Sequence, residues 1–224
     1  MILCALALAF TASEAAQKKE EPLSKRDAQK LVREGDKLYK KGEIDEIKKA
    51  GGYYLRVLQD FPEMGDVHFK LARIYGDLEE WENAAATYQK AADNSGGDDQ
   101  LEAYTNLTEI YLRVGKYQEA AMSAPKVIEG DPSNSDAHIA LAMSLAKTGQ
   151  YEEAVVAAEK AVSLAPDSAI AQASLGMAKL GTGDQDAAEA AFTKALAVDA
   201  SLAEAHAGMA DIMLSKEDYD GAVA

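Results

Sequence analysis

The chain has 224 residues, 48% of them hydrophobic, a formal net charge of −15 and a single cysteine. That charge argues against nucleic acid as a partner, because a phosphate backbone needs a basic face, and it disfavours adsorption to anionic lipid. One cysteine excludes an intramolecular disulfide, and the length would suit one or two ordinary domains.

In chain order, Cys4 lies within MILCALALAFTA, an apolar run too short to cross a membrane as a helix. The run reads as the hydrophobic core of a secretory signal peptide over 1–15, with Ser13-Glu14-Ala15 as a small-x-small cleavage site. No Lys or Arg precedes it, and the alternative is an N-terminal helix on a cytoplasmic chain. Export to the periplasm or cell envelope of a bacterium is the expectation. The stretch AQKKEEP is charged and lacks apolar periodicity, so 16–23 reads as a flexible linker. Ser24, with Asp27 three residues on, opens the first helix in a capping-box-like arrangement.

From there to the end, short apolar stripes recur in pairs. The clearest pair spans Ser135 to Pro166 with a turn at Gly149. Its first helix places Ile139, Leu141, Ala142, Leu145 and Ala146 at helical spacing; its second does so with Ala154, Val155, Ala158, Ala161 and Val162. Either stripe alone is too narrow to hold a helix in water, so each pair needs neighbours. The register His138, Leu141-Ala142, Leu145, Ala154, Ala158, Ala161, Pro166 supplies them by recurring. One step back it reads Tyr104, Leu107-Thr108, Tyr111, Gly115, Tyr117, Ala120, Ala124, Val127, Pro132. A second step, two residues longer, gives His68, Leu71-Ala72, Tyr75, Trp81, Ala84, Tyr88, Ala91, and a step forward gives Gln172, Leu175-Gly176, Lys179, Gly183, Ala188, Phe192, Ala195. The end units are less regular: Leu31, Gly35, Leu38, Gly42, Tyr54, Val57, Pro62, with about three extra residues around Lys48–Gly52, and His206, Met209-Ala210, Met213, Tyr219, Ala222.

This register resembles the tetratricopeptide repeat family, whose unit is a helix-turn-helix with a period of about 34 residues. The resemblance implies an all-α fold, a right-handed α-solenoid of about five and a half tandem helix-turn-helix repeats over 24–224. Repeats are placed at about 28–64, 65–100, 101–134, 135–168 and 169–202, with a partial one at 203–224. The stretch GYYLRVLQDFP, Gly52 to Pro62, also resembles repeats of bacterial outer-membrane assembly and envelope scaffolds.

Four irregularities carry local expectations. Glu79-Glu80, like Glu152-Glu153, is expected at the start of a second helix, where carboxylates favour the positive end of the helix dipole. Gly96-Gly97, in DNSGGDDQ, replaces the closing proline and predicts a looser connection, either a hinge or a surface insertion. Asp199-Ala200-Ser201 also lacks the proline, which predicts a longer second helix before it. The closing YDGAVA is expected to begin a second helix that no cap covers, as in a piece of a longer protein.

No constellation points to catalysis. His68, His138 and His206 share one repeat position and stand four helices apart, too far for a single ion to bridge, so they read as packing residues. The acidic pairs have no nucleophile, phosphate loop or metal motif beside them. Lys179 stands at a usually apolar place, where its methylenes can lie on the core while the ammonium reaches water. No enzyme activity, metal or cofactor is expected.

The resemblance implies instead that first helices line a groove for a partner. Carried onto this chain, the groove places hold Phe69, Arg73, Thr105, Glu109, Leu112, Ile139, Met143, Ala146, Ala173, Met177 and Leu180. Members that clamp a C-terminal carboxylate use Lys and Asn in the groove; here those places hold Val32 and Asp36, with Asn106 an isolated match, so an acidic tail is disfavoured. The apolar strip of repeats four and five, with its two adaptable methionines, suits a helical or extended protein segment. The reading is a non-catalytic interaction scaffold with an unidentified protein or peptide partner. Its alternative is a substrate-presenting module of a larger enzyme or envelope assembly, and self-association through the last repeat is a third expectation.

Overall fold

The computed structural model describes residues 21–223, with side chains through Ser215, so the expected signal peptide lies outside the described residues. Among the described residues eleven helices follow one another: α1 (Lys25–Tyr39), α2 (Ile44–Asp60), α3 (Gly65–Asp77), α4 (Trp81–Asp93), α5 (Gly97–Arg113), α6 (Tyr117–Gly130), α7 (Ser135–Lys147), α8 (Tyr151–Leu164), α9 (Ala169–Gly181), α10 (Gln185–Val198) and α11 (Ala203–Val223). There is no strand among the described residues. The fold is an all-α repeat solenoid, in which the odd-numbered helices are first helices and the even-numbered ones second helices. The residues divide between Ile110 and Tyr111 into two compact units.

Local chemistry sets the helix boundaries. Ser24, Asn134, Ser168 and Asp184 each accept a hydrogen bond on the side chain from a backbone N–H three residues on, satisfying a first-turn donor that has no partner within the helix. The turn from first to second helix is one device used repeatedly. Glu80, Lys116, Gln150 and Asp184 each donate a backbone N–H to the carbonyl five residues back, at 2.8, 2.8, 2.9 and 3.0 Å. That bond requires a left-handed residue just before the donor, the Schellman geometry. Gly115, Gly149 and Gly183 supply it with φ of 73°, 83° and 83°.

In the second repeat the left-handed place is Glu79, with φ 57°, so Glu79 sits in the turn and Glu80 flanks α4 rather than both opening the helix. Glu152-Glu153 do lie in the first turn of α8. A side chain in the left-handed region crowds its own carbonyl, whereas glycine does not. Glu79→Gly is therefore expected to stabilise the first unit by about 0.5–1 kcal/mol, less the entropy that glycine adds to the unfolded chain. Urea unfolding followed by fluorescence of the single tryptophan, Trp81, would measure it; an unchanged or lower midpoint would show that the turn carries no strain.

The sequence irregularities are absorbed as helix. The extra residues around Lys48–Gly52 lengthen α2 to 17 residues, and those in DNSGGDDQ lengthen α5 to 17. Only Asn94–Gly96 separates α4 from α5, and Gln100 Nε2 donates to the Ala92 carbonyl across that connection, so it is tight rather than loose. Before Asp199, α10 has 14 residues, as α8 does, so the missing proline does not extend it. Asp199 instead accepts from Ser201 N and Oγ at 2.9 and 2.7 Å, as Asp131 does from Ser133. At the other end, α11 continues through the segment expected to start a new helix. Glu21–Leu23, within the expected linker, are tied to α2: Arg56 donates to the Glu21 carbonyl and Leu23 N to Asp60.

Packing differs between the units. The first gathers Ala28, Val32, Ala50, Tyr54, Val57, Val67, Leu71 and Ile74 into one core. In the second, fully buried alanines such as Ala154, Ala158, Ala161, Ala188 and Ala195 let helices approach closely, and among its described residues Phe192 is the one large aromatic residue at 0% exposure.

Candidate groove faces of the two units

The histidines act between helices as hydrogen-bond ties. His68, His138 and His206 each place Nε2 at 2.9–3.2 Å from the carbonyl six residues back, at Pro62, Pro132 and Ala200. A carbonyl only accepts, so Nε2 carries the proton in each. Gln172 does the same toward Pro166 at 3.4 Å, which explains why glutamine can occupy a histidine place. No group of three or more metal-ligating side chains gathers among the described residues. Lys179, on α9, reaches Glu159 on α8 at 3.0 Å, so its ammonium finds a carboxylate as well as water.

In the first unit, the expected groove residues are occupied with their own neighbours. Phe69 stands edge-on to Tyr88, ring centroids 5.3 Å apart. Arg73 lies 5.2 Å over the Tyr39 ring, and Tyr39 donates its hydroxyl to Asp77 at 2.6 Å. Burial, and then the Asp77 hydrogen bond, push the Tyr39 phenol above its usual range. Thr105 spends its hydroxyl on the Leu101 carbonyl, and Glu109 is exposed.

Behind this face, Asp36 accepts from Lys70 Nζ at 2.8 Å and from the Tyr54 hydroxyl at 2.7 Å. Burial alone would raise the Asp36 carboxyl; the hydrogen bonds from Lys70 and Tyr54, with the Lys70 charge, outweigh it and hold the group below the usual carboxylate range. Asp36 is thus engaged inside the unit, and Val32 is buried.

In the second unit, the strip expected on α7 and α9 separates into two parts. Ile139 and Ala173 are 8% and 2% exposed, and their surface is spent on packing: Ile139 against Ala161 and Ala171, Ala173 in the cluster around Phe192. Met143 packs against the Ile139 cluster, and Leu112 is half-buried. Ala146, Met177 and Leu180 come together with residues of α11 to line a hollow of about 690 Å³.

The α11 side of that hollow holds Glu204, Ala207, Gly208 and Asp211, with Phe192 beneath and Lys147 and Tyr151 on the α7–α8 side. Glycine makes this geometry: a Cβ at Gly176 or at Gly208 would strike the Phe192 ring, and one at Gly181 would strike Tyr151. The α11 residues were missed in the sequence. The signal was there, since a step of 34 from Ala173 and Met177 falls on Ala207 and Asp211.

Comparison with known proteins identifies the repeat. Two family models described as tetratricopeptide repeat match residues 33–99 and 134–201, together more than half of the chain. The chain belongs to the tetratricopeptide repeat family. Among solved structures it is similar to the MamA protein, with 26% identity and a TM-score of 0.66 over 79% of this chain and 94% of that one. It shares its fold with MamA 41-end from Desulfovibrio magneticus RS-1 (18% identity, TM-score 0.64, 79% and 97% covered). It also shares it with YrrB, described as a TPR protein with an unusual peptide-binding site (16%, 0.69, 88% and 96%). No curated protein matches the chain. No described helix is long and apolar enough to cross a membrane.

Proposed function

We propose that this tetratricopeptide repeat protein is an exported, non-catalytic scaffold that holds a segment of a partner protein on the first-helix face of its second unit. The observation that carries the reading is the hollow among α7, α9 and α11, floored by Met177 and Leu180. Both side chains pack on the Phe192 cluster below and are half-buried, so a partner's apolar residue placed there removes further apolar surface from water. The peptide-binding site ascribed to YrrB, a protein of the same fold, supports the reading. Export rests on the apolar run before Thr11 alone.

The test is capture of partners from a bacterial envelope extract by the parent chain beside a Met177→Lys/Leu180→Lys variant, with circular dichroism confirming that both are folded. One partner held by the parent and lost about tenfold or more in the variant is the expected result, since two buried ammonium groups cannot be left unpaired in an apolar contact. Equal capture, or none, would place the function elsewhere on the molecule.

A further inference from the structure

We propose that the hollow among α7, α9 and α11 selects a partner segment in which an apolar residue is flanked by lysine or arginine. This rests on the reading above and names the chemistry of what the hollow accepts. Three charged side chains line it: Glu204 and Asp211 on α11, and Lys147 on the opposite wall. Both carboxylates are exposed, and neither has an ion-pair partner among the described residues. They lie seven residues apart on one helix, two turns or roughly 10 Å along its axis, and therefore on one face. An extended segment advances roughly 3.3 Å per residue and alternates its side chains between two faces, so cations four positions apart, on flexible stems, reach both carboxylates while the residue midway between them, on the same face, enters the apolar floor.

The floor sets the size of that residue. Gly208 and Ala207 project almost nothing into the hollow, and Met177 can adjust its flexible thioether chain, so leucine, methionine or phenylalanine fits. Lys147 on the far wall leaves room for one acceptor, such as a backbone carbonyl, and so orients the segment across the hollow. The net charge of −15 acts in the same direction at long range, speeding the approach of a cationic segment and opposing an acidic one. The exposed charges contribute selection and encounter rate, and the apolar contact contributes most of the affinity.

The experiment is selection from a random peptide display library on three proteins in parallel: the full parent chain, Met177→Lys/Leu180→Lys, and Glu204→Lys/Asp211→Lys. Glu204→Gln/Asp211→Asn serves in place of the last if the inverted variant is less stable by thermal unfolding. The parent is expected to enrich segments with Lys or Arg on either side of a large apolar residue by about tenfold over acidic counterparts. That preference should shrink in high salt and vanish or invert on the charge variant, with the apolar position retained. Enrichment of apolar residues without a cationic preference, or the same preference on the charge variant, would overturn the inference and leave the scaffold reading standing. No enrichment beyond that of Met177→Lys/Leu180→Lys would overturn both.

Discussion

Phe192→Ala is expected to lower the stability of the second unit by about 3–5 kcal/mol, the range for deleting a buried phenylalanine side chain. Two features place it toward the upper end. The ring has no exposed surface, so the whole transfer contribution is lost. It is also held between Gly176 on α9 and Gly208 on α11, and its buried cluster holds Ala173, Ala188, Ala195, Ala205 and Ile212. The glycines and alanines have no side-chain freedom with which to fill the space, so only Ile212 and the flanking methionines and leucines can close in, and much of the cavity persists. Gly208→Ala tests the same contact from the other side: its methyl meets the ring, and overpacking of this kind costs about 1–3 kcal/mol. In the double variant the methyl enters space the ring has vacated, so the two losses should sum to more than the combined effect. Urea unfolding by far-ultraviolet circular dichroism measures all three. A loss below about 1 kcal/mol for Phe192→Ala would mean that the alanine packing holds α9, α10 and α11 without it.

The periodic features of this fold were legible because repetition makes one weak pattern count several times. Leu71, Leu107, Leu141 and Leu175 share a register, and so do the glycines at 115, 149 and 183. What escaped depends on geometry that residue type does not dictate. The bond that closes the Schellman turn joins backbone atoms, so the turn survives at Glu79, where no glycine announces it. Asp199 replaces a proline by accepting two hydrogen bonds from Ser201, a local solution that proline counting overlooks. The glycine pair at 96–97 looked loose because glycine is free in isolation; Gly97 instead begins α5, with φ 59°.

Groove positions were the hardest to read. Ile139 and Met143 lie on the same face of α7, yet only neighbouring side chains decide that Ile139 is covered. Likewise the hollow exists because of what Gly181, Ala207 and Gly208 lack, and absence of side chains carries little signal in a sequence rich in alanine and glycine.

Raising the pH above about 10 is expected to unfold the first unit through Tyr54 and Tyr88. Burial pushes both phenols far above their usual range, and for Tyr54 the hydrogen bond to Asp36 and that carboxylate's charge add to it. Both are nearly inaccessible, at 1% and 4% exposure. The folded unit therefore keeps these two protons, and holds those of Tyr39 and Tyr75 more tightly as well, where the unfolded chain releases them near pH 10, so its stability falls as pH rises beyond that value. The slope is about 1.4 kcal/mol per pH unit for each tyrosine. Of the ten tyrosines, Tyr54 and Tyr88 should gain their tyrosinate absorbance together with the change in Trp81 fluorescence, in one cooperative step.

Tyr54→Phe separates the two contributions. At neutral pH it removes a hydrogen bond to a charged acceptor, at a cost of about 1.5–3 kcal/mol, eased because Lys70 still bonds Asp36. Above pH 10 the variant's slope should be shallower than the parent's by about 1.4 kcal/mol per pH unit, with Tyr88 and the raised phenols of Tyr39 and Tyr75 remaining. The acid limb moves the other way. The Asp36 carboxyl is held low, so its contribution is complete above about pH 4 and is lost as pH falls through its lowered value. Without the Tyr54 donor that value rises, and acid unfolding should begin at higher pH. Full tyrosinate absorbance near pH 10 with unchanged Trp81 fluorescence would contradict the alkaline part. It would mean that Tyr54 and Tyr88 ionise in place, within a unit able to open around them.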